Sequence, residues 1–225
     1  WSADAAVVTE PTDLQVAIGH KGFAWIEVET RGRAAHGSRP KDGIDAIARM
    51  GRVLGRLEQL DRELQAGPPH ALMGTPSLHA STIAGGRELS VYPDRCVLQV
   101  ERRTIAGETD RGALDEVRAI VEALADEDPT FEAGCRLMFS RPPYELAASH
   151  ELPVRLCAAA HAAGCRAGTV GMSFWTDAAV LAQAGIPSVL FGPGGAGLHS
   201  SEEYVNVADV LACRDALVRF VEEWI

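Results

Sequence analysis

The sequence predicts an α/β protein in two parts: a partial, mostly parallel α/β domain interrupted by a ferredoxin-like βαββαβ unit. Three observations carry this expectation. Residues 16–141 read strand, helix, strand, strand, helix, strand, the order of a four-stranded sheet with two helices on one face. After Pro142-Pro143 helices alternate with uninterrupted apolar runs, as in a parallel sheet covered on both faces. The short run "AAVV" near the start offers that sheet one more strand. Residues 1–18 and 142–225 therefore read as the α/β domain and 19–141 as the inserted one.

Each element has a local reason. "AAVVTEPT" is an apolar run stopped by Pro11, with Glu10 at the strand's carboxyl end. From Val16 to Thr30 the pattern after Gly22 alternates apolar and polar, the signature of a half-buried strand. "RGRAAHGSRPKDG" is a polar loop. Ile44, Ile47, Leu54, Leu57 and Leu64 then recur at helical spacing behind Asp42 as an N-cap. "SLHASTIAGG" and "SVYPDRCVLQVERRTI" read as two strands parted by Gly85-Gly86, a helix over 110–126 aligns Leu114, Val117, Val121 and Leu124, and "FEAGCRLMFS" makes a further strand. Beyond the prolines come a helix over 151–163, the run "GTVGMSF", a helix from Thr176 to Ala184, the strand "IPSVLF", a glycine-rich loop and a helix starting after Asn206.

Composition narrows the function. A hydrophobic content of 47% with 23% charged residues suits a globular chain. The net charge of -10 opposes a nucleic-acid surface, which needs clustered cations against phosphate. No apolar run is long enough to span a membrane. Five cysteines, widely spaced and without C-x-x-C, read as buried thiols in a reducing cytoplasm, not as disulfides or a zinc-thiolate site.

"GPGGAG" (192–197) matches G-x-G-x-x-G, but a dinucleotide cradle requires a helix opening at the glycines and an acidic residue about 20 positions on. Neither is present. The other reading is a turn at the carboxyl end of a strand, where open α/β sheets place their sites. His199, just beyond, is either a structural loop histidine or a metal ligand favoured by the glycines, the small Ser200 and Ser201, and Glu202-Glu203 as orienting carboxylates. His36 reads as a solvated loop histidine, and Arg102-Arg103 as edge charges. H-E-x-x-H, G-x-S-x-G and Walker signatures are absent from the sequence.

Taken together, "TEPT" (9–12), "HKG" (20–22), "GRAAHGSRPKDGIDAI" (32–47), "AGGRELSVYPDRC" (84–96), "ERRTIAGET" (101–109) and "WTDAAVLAQAGIPSVLFGPGGAGLHSSEEYV" (175–205) resemble the M20 metallopeptidase family. That family includes acetylornithine deacetylase, succinyl-diaminopimelate desuccinylase, aminoacylase and carboxypeptidase G. The resemblance implies a zinc-hydrolase catalytic domain interrupted by a lid or dimerisation domain. It also implies hydrolysis of an amide in an N-acyl amino acid or small peptide with a free carboxylate, and a homodimer paired through the lid. By the resemblance Glu10 and His199 match ligands of two zinc ions, with cobalt or manganese as substitutes, and His36 matches the lid histidine that stabilises the oxyanion across the dimer. Arg103 matches the arginine that holds the substrate carboxylate, Ser90 stands where an asparagine precedes x-x-Pro, and Gly194 lies in the loop that leaves room for substrate.

The implied chemistry is coherent. Zinc lowers the pKa of bound water and polarises an amide carbonyl, a placed histidine stabilises the developing oxyanion, and an arginine fork binds a carboxylate bidentately. Members of the family also carry an H-x-D ligand motif, a bridging aspartate and a Glu-Glu pair upstream of the position of Glu10. None stands in this sequence, so we expect it to begin after that half. The competing expectation is a non-catalytic fragment or dimerisation module, since two ligands do not build two zinc sites.

Overall fold

The computed structural model describes residues 2–224. In chain order its elements are β1 (Ala6–Val8), β2 (Val16–His20), β3 (Gly22–Arg31), α1 (Ala46–Ala66), β4 (Ser77–Gly85), β5 (Arg95–Thr104), α2 (Asp110–Glu127), β6 (Glu132–Arg141), β7 (Tyr144–Glu145), α3 (Glu151–Ala162), β8 (Thr169–Met172), α4 (Ala178–Gln183), β9 (Ser188–Leu190), β10 (Gly195–Ala196), β11 (Tyr204–Val205) and α5 (Val207–Trp224). They form two compact units. One holds the chain up to Lys21, Ala71–Met73 and the chain from Pro143 onward; the other holds Gly22–His70 and Gly74–Pro142. The return at Ala71–Met73 has no signal in the sequence.

The inserted unit is a four-stranded antiparallel sheet in the order β4-β5-β3-β6. The period-2 pattern of β5 puts Cys96, Leu98 and Val100 on one face, where they join Ile26 and Val28 of β3 under both helices. Each such fully buried aliphatic stabilises the unit by about 1.5–3 kcal/mol. Helix α1 begins at Asp45, not Asp42, because the Asp45 carboxylate is the one that accepts the Ala48 N–H, at 2.9 Å. Its buried stripe is Ala46, Met50, Val53 and Leu57, while Ile47, expected inside, is turned outward. Helix α2 is capped by Thr109 and buries Ala113, Val117, Val121 and Leu124.

The run from Val16 to Thr30 is not one strand. It breaks at Lys21, with β2 in the first unit and β3 in the second. Likewise Ser90–Asp94 is a loop ahead of β5, because Ser90 and Tyr92 spend backbone bonds on Gly37 and Ala35, not on a neighbouring strand of the sheet.

In the α/β unit β1 pairs parallel with β9 and β2 parallel with β8, while β2 meets β9 and β7 antiparallel. Both faces are covered, which is why β2 is buried at every position. Val16 and Ile18 pack with α3 and α5 through Leu152, Leu156, Ala216 and Phe220, and Ala17 faces the opposite way with Ala178, Ala179 and Leu190. The five thiols are free, and burial pushes every one of them up, so they behave as small apolar groups. Among the described residues no helix is long and apolar enough to cross a membrane.

Candidate functional site

Two loops at the carboxyl ends of β1 and β9 are stitched together. Thr12 Oγ accepts the Gly192 N–H at 3.0 Å and donates to Gln15 O at 2.6 Å, while the Leu14 N–H donates to Gly192 O at 2.9 Å. Gly192 is required by close approach: a Cβ there would stand 2.2 Å from the carbonyl oxygen of Glu10. Gly194 is buried, its N–H donating to Asp209 at 3.2 Å, and a Cβ would press on the carboxylates of Asp13 and Asp209. Sequence reasoning missed Thr12 and Asp209, whose roles depend on contacts about 180 and 15 residues away.

The glycine run does not open a helix. Gly195–Ala196 pairs antiparallel with Tyr204–Val205, and the intervening loop carries His199. This excludes a phosphate cradle, which needs helical N–H groups aimed at the anion. All three non-glycine residues with left-handed backbone among the described residues, Asp13, Leu14 and His199, sit in these two loops. Such strain persists where surrounding structure enforces it and clusters at sites. Glu203 does not orient the His199 imidazole as expected; its carboxylate accepts the His199 backbone N–H at 3.2 Å, across the turn. Glu10 is half-buried and His199 exposed. A cleft of about 690 Å³ is lined by Thr9, Pro11, Phe174, Gly194, Leu198 and Glu203 among others, the neighbours of both residues.

In the inserted unit, His36 bridges to Val91, and the Gly37 N–H donates to Ser90 O at 2.7 Å. Ser90 thus meets the histidine loop through its main chain. The Ser38 N–H donates to His36 Nδ1 at 3.2 Å and its hydroxyl lies 2.9 Å from the same nitrogen. That makes Nδ1 the acceptor, places the ring proton on Nε2, and leaves an exposed N–H donor.

Arg102 and Arg103 separate by strand alternation. Arg102 is not a solvated edge charge: it is 1% exposed on the helix face of β5 and bonds Glu108 and Glu116 at 2.8 and 2.9 Å. Arg103 points to the helix-free face, where Nε lies 2.6 Å from Glu101 and the guanidinium stacks over Phe23. Phe23, Trp25 and Phe139 form a ring cluster there with centroids 5.1–6.0 Å apart, and Arg141 stacks on Phe139.

Glutamate oxygen and imidazole nitrogen are suitable zinc donors, but the described residues contain no group of three or more His, Cys, Asp or Glu that holds a metal. The donor types fit; the donor number does not.

Residues 18–129 match the family model of a peptidase dimerisation domain. The chain therefore falls among peptidases and related hydrolases that carry such a domain. It is 34% identical over 224 residues to an acetylornithine deacetylase of Myxococcus xanthus, covering 96% of this chain and 56% of that protein. It is 29% identical to a putative succinyl-diaminopimelate desuccinylase of Mycobacterium tuberculosis, covering 98% and 58%. A tripeptidase from Staphylococcus aureus shares the fold, with a TM-score of 0.84 at 19% identity over 99% of this chain and 57% of that one. The chain belongs to the M20 family of metallopeptidases and deacylases. It spans a little over half the length of these relatives.

Proposed function

We propose that the protein hydrolyses the amide bond of an N-acyl amino acid or small peptide that bears a free carboxylate. The α/β unit acts as part of the catalytic domain, and the unit of residues 22–142 acts as its lid and dimerisation surface. The observation that carries this reading is the His36 arrangement, in which Ser38 occupies Nδ1 and the Nε2 proton is presented outward. An oxyanion forming from an attacked amide carbonyl needs such a preorganised donor.

Arg103 holds the substrate carboxylate, with the Ser90 main chain fixing the His36 loop and Gly194 lining the cleft that receives the substrate. Glu10 and His199 contribute two ligands to zinc, or to cobalt or manganese. The homodimer pairs through the lid, a reading supported by the dimerisation-domain match and by β4, an edge strand exposed over most of its length.

In the whole enzyme, His36→Ala lowers kcat by about 100-fold, the size of one lost oxyanion donor, with zinc content unchanged. Loss of zinc in that variant would show His36 to be a ligand instead. The lack of a three-ligand group among the described residues favours a second reading, in which these 225 residues alone are a dimerising module without activity. Assay of this chain with added zinc decides: background turnover is expected, and turnover matching the whole enzyme removes the second reading.

A further inference from the structure

The helix-free face of the inserted sheet carries a chain of contacts that leads to Arg103. Trp25 and Glu101 are directly opposed on β3 and β5, as are Phe23 and Arg103. The Trp25 indole N–H donates to Glu101 Oε2 at 2.8 Å, and Glu101 Oε1 lies 2.6 Å from Arg103 Nε. One carboxylate is thus spent on both sides, by an indole that is wedged between Phe23 and Phe139. Glu101 is nearly buried, its side chain 14% exposed, against 29% for Arg103. Neither terminal guanidinium nitrogen of Arg103 donates a hydrogen bond among the described residues.

We propose that Glu101, locked by Trp25, is the positioning residue that aims the open edge of the Arg103 guanidinium at the substrate carboxylate. The inference rests on the assignment of Arg103 above. A guanidinium ion-paired at Nε and lying over Phe23 is held in one orientation with its terminal nitrogens open, the edge that bidentate carboxylate binding uses. An unheld arginine loses rotamer freedom on each binding event. Glu101 therefore acts through Arg103 and not on the scissile bond.

The test must keep charge constant. Glu101→Gln mixes two opposite effects, since it frees the arginine and also removes a negative charge near the bound anion. Glu101→Asp keeps the charge but is one methylene too short to span indole and guanidinium, and Trp25→Phe removes the indole donor while keeping an aromatic ring beside Phe23 and Phe139. N-acetyl-ornithine and N-acetyl-methionine, each beside its carboxamide, serve as probes in the whole enzyme. Glu101→Asp is expected to raise KM for the carboxylates roughly tenfold, the size of one weakened charge-assisted hydrogen bond, with kcat within about twofold. Kinetics on the carboxamides stay unchanged, and Trp25→Phe moves in the same direction by less. A structural defect would instead lower kcat and affect both substrate classes alike, which overturns the proposal.

Arg103→Lys separates the two claims. If it weakens carboxylates selectively while Glu101→Asp and Trp25→Phe do not, positioning by Glu101 is overturned and the role of Arg103 stands. If it shows no selectivity, the role of Arg103 falls and the proposal with it. A readout without turnover is the Trp25 indole N–H resonance of ¹⁵N-labelled protein, assigned by its loss in Trp25→Phe. It is expected to shift on titration with N-acetyl-methionine and not with the carboxamide, and to lose that response in Glu101→Asp. An indole that ignores both compounds overturns the proposal.

Discussion

His20 ends β2 with its ring buried, its Nδ1 proton given to the Lys21 carbonyl at 2.9 Å and its Nε2 without a hydrogen-bond partner. Burial pushes the imidazole below its usual value, outweighing the backbone hydrogen bonds that act in the other direction. The unfolded chain protonates this group near pH 6.5 while the folded chain stays neutral to lower pH, so the unfolded state binds more protons in that window. Stability contributed by neutral His20 is present above that pH and declines as pH falls, by at most about 1.4 kcal/mol per pH unit. His20→Asn keeps a donor for Lys21 and removes the titration. Urea denaturation from pH 7 to 5 should show a shallower slope in this variant than in the parent; identical slopes would rule out His20 as the source. Gly192→Ala acts through sterics alone. Its Cβ meets the Glu10 carbonyl, and the predicted cost is about 1–3 kcal/mol with displacement of Glu10, measured as a lower Tm and a lower zinc content in the whole enzyme.

Among the elements, β5 shows most clearly what the sequence makes legible. Its alternation places Leu98 and Val100 inside and Arg103 on the opposite face, and the βαββαβ order follows from composition and spacing. The fate of Arg102 was not legible, because the carboxylates that accept it arrive from the turn after β5 and from α2. Helix caps misled by a single turn, Asp42 for Asp45, since both are good caps and only tertiary contact with β3 and β5 decides where α1 enters the core. The loops of the candidate site were legible as loops but not as a stitched pair, since Thr12 and Gly192 are neighbours only after β1 and β9 align. Arg102→Ala strands Glu108 and Glu116, whose partial exposure lets water recover some of the loss. The predicted cost is about 3 kcal/mol, the low end for a broken buried pair. A urea midpoint unchanged from the parent would show the cluster to be dispensable.

The two units divide the work assigned to the protein. One brings Glu10, Gly194 and His199 to strand ends, and the other carries His36, Ser90 and Arg103 on a sheet and its flanking loops. Family membership supports the proposed amide hydrolysis. On the proposed reading Glu10 and His199 are two of the metal's ligands, and with no three-ligand cluster among the described residues they would need further donors. The most direct test is release of free amine from N-acetyl amino acids by the whole enzyme, stripped of metal and then supplied with zinc. The account predicts no turnover without metal, recovery with zinc in the parent, and no recovery in Glu10→Gln or His199→Ala. Full turnover by the metal-free protein, or by both variants, would contradict it.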